Sequence, residues 1–224
     1  MQLRRHAPGG RKEAPRPANS RGVTMLEVLV TLTIVTIGLL GIAGLQARAH
    51  VAELESYQRA QALVLLYDMV DRINNNRLAA TCYAFTTDTT NGKPYVGDTA
   101  GGGHLSTPVS SCAASTPAAN TLANAAVNDW NSLLLGSSET KSGASVGAML
   151  GARGCVSYDS GSEFIDATSG LNIGGTGMYT VAVSWQGMAD TFAPTSTCAK
   201  GLYGSEAKRR TVWVTMRLAT LAAR

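Results

Sequence analysis

The chain has 224 residues, four cysteines and a formal net charge of +4. That charge is unevenly placed: Arg4, Arg5, Arg11, Lys12, Arg16 and Arg21 against Glu13 give residues 1–22 a net of +5, and +4 less +5 leaves residues 23–224 at −1. A basic balance confined to one short leader does not describe a nucleic-acid-binding body, so no nucleic-acid partner is expected.

The basic leader gives way to Gly22-Val23-Thr24-Met25-Leu26-Glu27 and then to Val28–Ala47, twenty residues without a charge. At 1.5 Å per residue such a helix covers about 30 Å, the thickness of a bilayer's hydrocarbon core. A cleaved secretory signal would have a shorter apolar region and a small-residue exit, and neither is present. Six cations ahead of the run hold the N-terminus in the cytoplasm and send residues 48–224 across the membrane. Glu27 is the unusual member. An acid at the edge of the hydrocarbon costs about 2.5–3.5 kcal/mol and calls for a partner. Gly38, Gly41 and Gly44 recur every third residue inside the run. Each costs about 0.5–1 kcal/mol against Ala in a helix, and small residues let membrane helices approach closely.

The stretch Gly22-Val23-Thr24-Met25-Leu26-Glu27 resembles the class III signal of type IV pilins and type II secretion pseudopilins, usually Gly-Phe-Thr-Leu-Ile-Glu. Val23 in place of Phe is a departure that suits a minor component better than a major pilin. The resemblance implies that a prepilin peptidase cuts after Gly22 and methylates the new terminus at Val23, and that Glu27 acts in assembly. It also implies a pilin-like α+β fold: a long N-terminal spine helix, membrane-spanning in its first half, packed on a small antiparallel sheet. The expected organisation is a leader over 1–22, a transmembrane assembly half over 23–47, an amphipathic half over 48–79, and a periplasmic body over 80–224.

Val51, Leu54, Gln58, Ala62, Leu65, Met69 and Ile73 recur at three- or four-residue steps, predicting that the helix continues and packs this stripe on the body. Asn74-Asn75-Asn76 is a plausible stop. Residues 80–120 are rich in Thr, Ala, Gly and Ser and predict loop. A short helix is predicted over 121–135, with Leu122, Ala126, Val127, Trp130, Leu133 and Leu134 on one face and Gly136 just past its end. Three strands are predicted, over 154–158, 178–185 and 211–218. Tyr179, Val181, Val183 and Trp185 alternate in the second, and Val212, Val214, Met216 and Leu218 in the third.

Cys82, Cys112, Cys155 and Cys198 all fall beyond the apolar run, and none forms a Cys-x-x-Cys pair. An even number in an oxidising compartment favours two disulfides, and three connectivities are open. Sequential pairing, Cys82–Cys112 and Cys155–Cys198, is the expectation.

No Gly-x-Ser-x-Gly, phosphate loop or His-Glu-x-x-His occurs, so neither catalysis nor a cofactor is expected. His6, His50 and His104 are scattered over leader, membrane edge and Gly-rich loop. Asp159, Glu163 and Asp166 lack the ordered spacing of a calcium loop and read as a solvated turn, so no metal is expected. Lys208-Arg209-Arg210 reads as a solvated basic face.

Asp129-Trp130, Gly151-x-Arg153-Gly154-Cys155, Val183-x-Trp185-Gln186-Gly187 and Cys198-x-x-Gly201-x-Tyr203-Gly204, in this order after Gly38-Leu-Leu-Gly41, resemble minor pilins of the PilV type. That resemblance implies a priming or tip complex of the pilus, with other minor pilins, the major pilin and an inner-membrane assembly platform as partners. Twitching motility, adhesion or DNA uptake would lie downstream. A minor pseudopilin of type II secretion is the alternative, and a non-polymerising anchored adhesin or enzyme is a third class.

Overall fold

The computed structural model describes residues 22–105, 114–145 and 149–218. Its contacts divide the chain into two units, Met1–Arg48 and Ala49–Arg224. Helix α1, Met25–Asn75, contributes to both.

In the first unit α1 begins where the sequence supplies a cap. The Glu27 backbone N–H donates to Thr24 Oγ1 at 3.2 Å. This is one arm of the Thr-x-x-Glu pattern that opens helices, and it satisfies a donor with no partner inside the helix. Thr31, Thr33 and Thr36 turn their hydroxyls back onto the carbonyls of Val28, Leu29 and Thr33. The hydroxyls of the run are therefore consumed within the helix, as a lipid environment requires. None of the most apolar window is buried, and its mean hydropathy is 2.4.

In the second unit α1 buries Ala62, Leu66, Met69 and Ile73. The buried stripe is shorter than its sequence pattern: Val51 and Leu54 stay exposed and Leu65 is half-buried. The helix stops at Asn75, and a 3-10 turn over Arg77–Tyr83 follows.

The body is built on a four-stranded antiparallel sheet in the order β1-β4-β5-β6, with β1 at Val96–Gly97, β4 at Arg153–Asp159, β5 at Met178–Gln186 and β6 at Arg209–Arg217. A separate small hairpin joins β2, Thr140–Lys141, to β3, Ala144–Ser145. The three predicted strands are present, each within two residues of its expected bounds. Tyr179, Val181, Val183 and Trp185 of β5 join α1's stripe in one core. Helix α2, Pro117–Leu134, closes it. It starts four residues before the sequence reading, because Thr116 caps it by accepting from the Ala119 N–H and Pro117 occupies its first turn. Trp130 lies against Gly154, where a Cβ would stand 2.4 Å from the indole ring, and its Nε1 donates to the Leu65 carbonyl at 2.8 Å.

The opposite face of β5 is also covered, which alternation alone did not suggest. Tyr95, Cys155, Ala182, Cys198, Ala199 and Tyr203 form a second core there. The expected loop over 80–120 supplies core side chains too, including Tyr83, Tyr95 and Val96, and strand β1. The structure is thus α+β and pilin-like: a long helix, apolar in its N-terminal part, that packs through its later turns against a small antiparallel sheet.

Candidate assembly helix and the stapled face of the sheet

Gly22, Val23 and Thr24 precede the helix and are exposed, so the bond after Gly22 lies in accessible, non-helical backbone. Glu27 is exposed in the first turn of α1, where a negative group meets the positive end of the helix dipole. It has no ion pair among the described residues. Gly38, Gly41 and Gly44 are equally open: a Cβ at any of them would meet nothing within 4 Å. Their absence of a side chain is not required by packing within this chain.

The structure joins Cys155 to Cys198, with Cα atoms 5.8 Å apart. The bond ties β4 to the loop after β5, so the second core is stapled as well as packed. Cys82 is disulfide-bonded, and its expected partner Cys112 lies outside the described residues.

Two buried cations organise the same face; the sequence shows Arg153 only as part of a motif and Arg209 only as part of a basic triplet that reads as solvated. The Arg153 guanidinium sits between the rings of Tyr203 and Tyr95, at 4.8 and 5.3 Å, with Asp98 at 3.1 Å. It also donates to the carbonyls of Gly151 and Ala100. Tyr203 returns a bond to the Gly151 carbonyl at 2.9 Å, and burial pushes its hydroxyl pKa up to about 12. Arg209 pairs with Glu206 at 2.6 Å and donates to the carbonyls of Ser196 and Cys198. The Glu206 carboxyl is partly desolvated, which acts to raise its pKa, but the Arg209 bond prevails and holds it below the usual carboxylate range. The only advance signal was position: Gly151-x-Arg153-Gly154-Cys155 and Cys198-x-x-Gly201-x-Tyr203-Gly204, far apart in sequence, meet here.

The basic triplet is therefore not a solvated face. Arg209 is buried, and Arg210 is engaged by Glu55 at 3.1 Å and by the carbonyls of Ala207 and Ala189. A cation becomes structural here because Glu206 and Glu55 come to it through the fold. The acidic turn is also internally occupied. Asp159 accepts from the Gly161 N–H, and Glu163 accepts from the Tyr158 hydroxyl. Asp166 accepts from the N–H groups of Thr168 and Ser169, which hold its pKa below the usual range. His50 lies 3.3 Å from Glu53, and His104 contacts Asn131. His6 lies outside the described residues. Among the described residues no three His, Cys, Asp or Glu side chains gather as a metal site.

Residues 17–43 match the family model of the prokaryotic N-terminal methylation motif. No curated protein and no solved structure matches the chain. The motif, the apolar helix it runs into and the helix-on-sheet body together support the type IV pilin and pseudopilin superfamily.

Proposed function

We propose that the chain is a minor pilin that joins a priming or tip complex of a type IV pilus and supports pilus assembly, and through it twitching motility, adhesion or DNA uptake. The observation that carries this reading is the apolar run of α1, wholly exposed, whose first sixteen residues fall within the matched methylation motif. A run of that length needs lipid before assembly and neighbouring helices after it. In this reading the leader stays cytoplasmic, the body is periplasmic, and prepilin peptidase cuts after Gly22 and methylates Val23. The processed chain then passes to an inner-membrane assembly platform and to the cell-surface pilus, beside other minor pilins and the major pilin. The Cys82–Cys112 bond belongs to the same periplasmic reading.

Glu27 sets register. Cleavage creates an α-amine at Val23, one helical turn from the carboxylate. In lipid, apolar helix packing has little hydrophobic drive, whereas attraction between this carboxylate and the amine of a neighbouring subunit is strong in a low dielectric and directional. Gly38, Gly41 and Gly44 give neighbouring helices room to close.

Two substitutions test the reading. Gly22→Glu is expected to leave full-length precursor on immunoblot, and normal maturation would sink the cleavage assignment. Glu27→Ala is expected to be processed and stay in the membrane, yet to be missing from sheared pili. Equal entry of Glu27→Ala and wild type into pili would reduce Glu27 to a helix-start acid. Deletion of the gene should remove pili and spare type II secretion; the reverse result would make the chain a pseudopilin.

A further inference from the structure

Strand β6 is the last in the sheet, and its two faces meet different surroundings. Val212, Val214 and Met216 pack into or against the main core. Trp213 and Thr215 therefore turn to the side of the second core, in register with Ala182 and Thr180 of β5. Ala182 is buried in that core, but the cover stops short of Trp213, which stands 48% exposed. A single exposed apolar side chain is ordinary on a protein surface. The hydroxyls gathered round this one are not.

A cleft of about 260 Å³ opens at Trp213 and is lined by Thr180, Thr195, Ser196, Thr197 and Thr215. Five hydroxyls and one indole thus form it, without a charged side chain. The hydroxyls of Thr180, Thr195 and Thr215 and the Trp213 Nε1 bond to none of the described residues. Ser196 Oγ accepts from the Cys198 N–H at 3.4 Å and keeps its own proton to donate. Thr197 donates to the Thr89 carbonyl at 2.6 Å and keeps lone pairs to accept. The loop that forms one wall is fixed in advance. Cys198 is bonded to Cys155, and Arg209 draws on the carbonyls of Pro194, Ser196 and Cys198.

We infer that the cleft binds one neutral hexopyranose unit of a glycan, with a C–H face of the sugar on the Trp213 indole and its hydroxyls among those of Thr180, Thr195, Ser196 and Thr215. Charge and hydrogen bonding select this class. A carboxylate or phosphate would find no cation in the lining, and an ammonium would find no anion. An apolar chain would desolvate the hydroxyls without bonding them. A pyranose has hydroxyls that both donate and accept, and a face of C–H groups for an aromatic ring. Drug-sized sites enclose about 300–1,000 Å³, so this smaller cleft suits a single ring. The fixed wall needs little ordering on binding, yet so few ligand atoms give a dissociation constant of about millimolar order. The inference goes beyond the assembly reading and does not rest on it.

Saturation-transfer NMR tests the cleft on the processed full chain in a sugar-free zwitterionic detergent. The probes are the methyl glycosides of glucose, galactose, mannose and N-acetylglucosamine. At least one is expected to receive saturation and to shield Trp213 from quenching by acrylamide, to which the buried Trp130 and Trp185 contribute little. Trp213→Ala should cut the transfer about tenfold through the lost ring contact. Thr180→Val with Thr215→Val keeps the ring and should cut it about as much through two lost hydrogen bonds, again about tenfold. Far-UV circular dichroism checks that each variant is folded, and should Trp213→Ala fail to fold, the threonine pair decides alone. No transfer to any glycoside beyond that to glycerol at equal hydroxyl concentration, or transfer unchanged in the folded variants, overturns the sugar site. Shielding of Trp213 by a thymidylate hexamer and by no glycoside assigns the cleft to nucleic acid and overturns it as well. None of these outcomes bears on pilus entry, which Glu27→Ala tests separately.

Discussion

One helix, α1, behaves as two materials. Over Val28–Ala47 every large side chain is exposed and three glycines face open space. Over Ala62–Ile73 the same helix buries four side chains in a core with β5 and α2. The later segment is satisfied by its own chain, whereas the earlier one is satisfied only internally, through its backbone and the back-bonded hydroxyls of Thr31, Thr33 and Thr36. Substitutions should therefore separate cleanly. Changes in the body cost folding and leave membrane anchoring alone, while changes in the apolar run spare folding and are felt between molecules.

The largest break is expected at the core side of the sheet. Trp130→Ala removes the ring that lies on Gly154 and leaves the Leu65 carbonyl without its indole donor, for a loss of about 3–5 kcal/mol. Urea unfolding of the processed chain in detergent, followed by near-UV circular dichroism, should show it, and sedimentation with membranes should be unchanged. Next comes the stapled face. Cys155→Ala with Cys198→Ala frees the loop after β5 from β4, at about 2–4 kcal/mol. An unchanged midpoint would mean that Arg209, Arg153 and the packed tyrosines hold the loop without the bond.

The helix–sheet plan was legible in the sequence because period and burial agree there. Tyr179, Val181, Val183 and Trp185 alternate, and their face is buried. The second core was hidden because its cover is irregular chain: Cys198, Ala199 and Tyr203 carry no period, so Ala182 and Ser184 read as outward positions although both are buried. Arg209 was misread for a related reason. A run of cations looks solvated until a fold brings Glu206 and three carbonyls to one of them. The methylation motif was legible because its signal is local, a Gly, an acid five residues on and an apolar run. The partners of that run lie in other molecules, so neither the sequence nor the single-chain structure displays them.

Smaller, pH-dependent effects are expected at the stapled face, beside those of other shifted groups such as Asp166 and Tyr179. Glu206 has a lowered folded pKa, so its pairing with Arg209 stabilises the loop above the unfolded value near 4.5 and fades as pH falls through the folded pKa. Tyr203 runs the other way. Its raised pKa contributes stability present below the ordinary value of 10.0 and lost as pH rises towards about 12. Hydrogen exchange across residues 194–206 should therefore quicken at both extremes, and at the acid one the amides of β5 should stay protected. Uniform loss of protection would show that loop and sheet open as one unit.

The smallest effect on folding should accompany the sharpest split between folding and assembly. Replacing Gly38, Gly41 and Gly44 together by Ala adds three methyl groups where nothing stands within 4 Å, so no clash arises within the chain. Each change favours the helix by up to about 1 kcal/mol, but that gain lies outside the body, whose unfolding midpoint should not move. Between molecules the sign reverses. If neighbouring helices close on this surface, each methyl holds them apart, and because lipid tails offer no hydrophobic penalty for separation, lost van der Waals contact is not made up elsewhere. The triple variant should therefore be processed at Gly22, sediment with membranes and melt as wild type, yet be depleted from sheared pili relative to its membrane pool. Wild-type recovery in pili would show that these glycines meet no neighbouring helix in the filament, and would remove them from the proposed assembly surface.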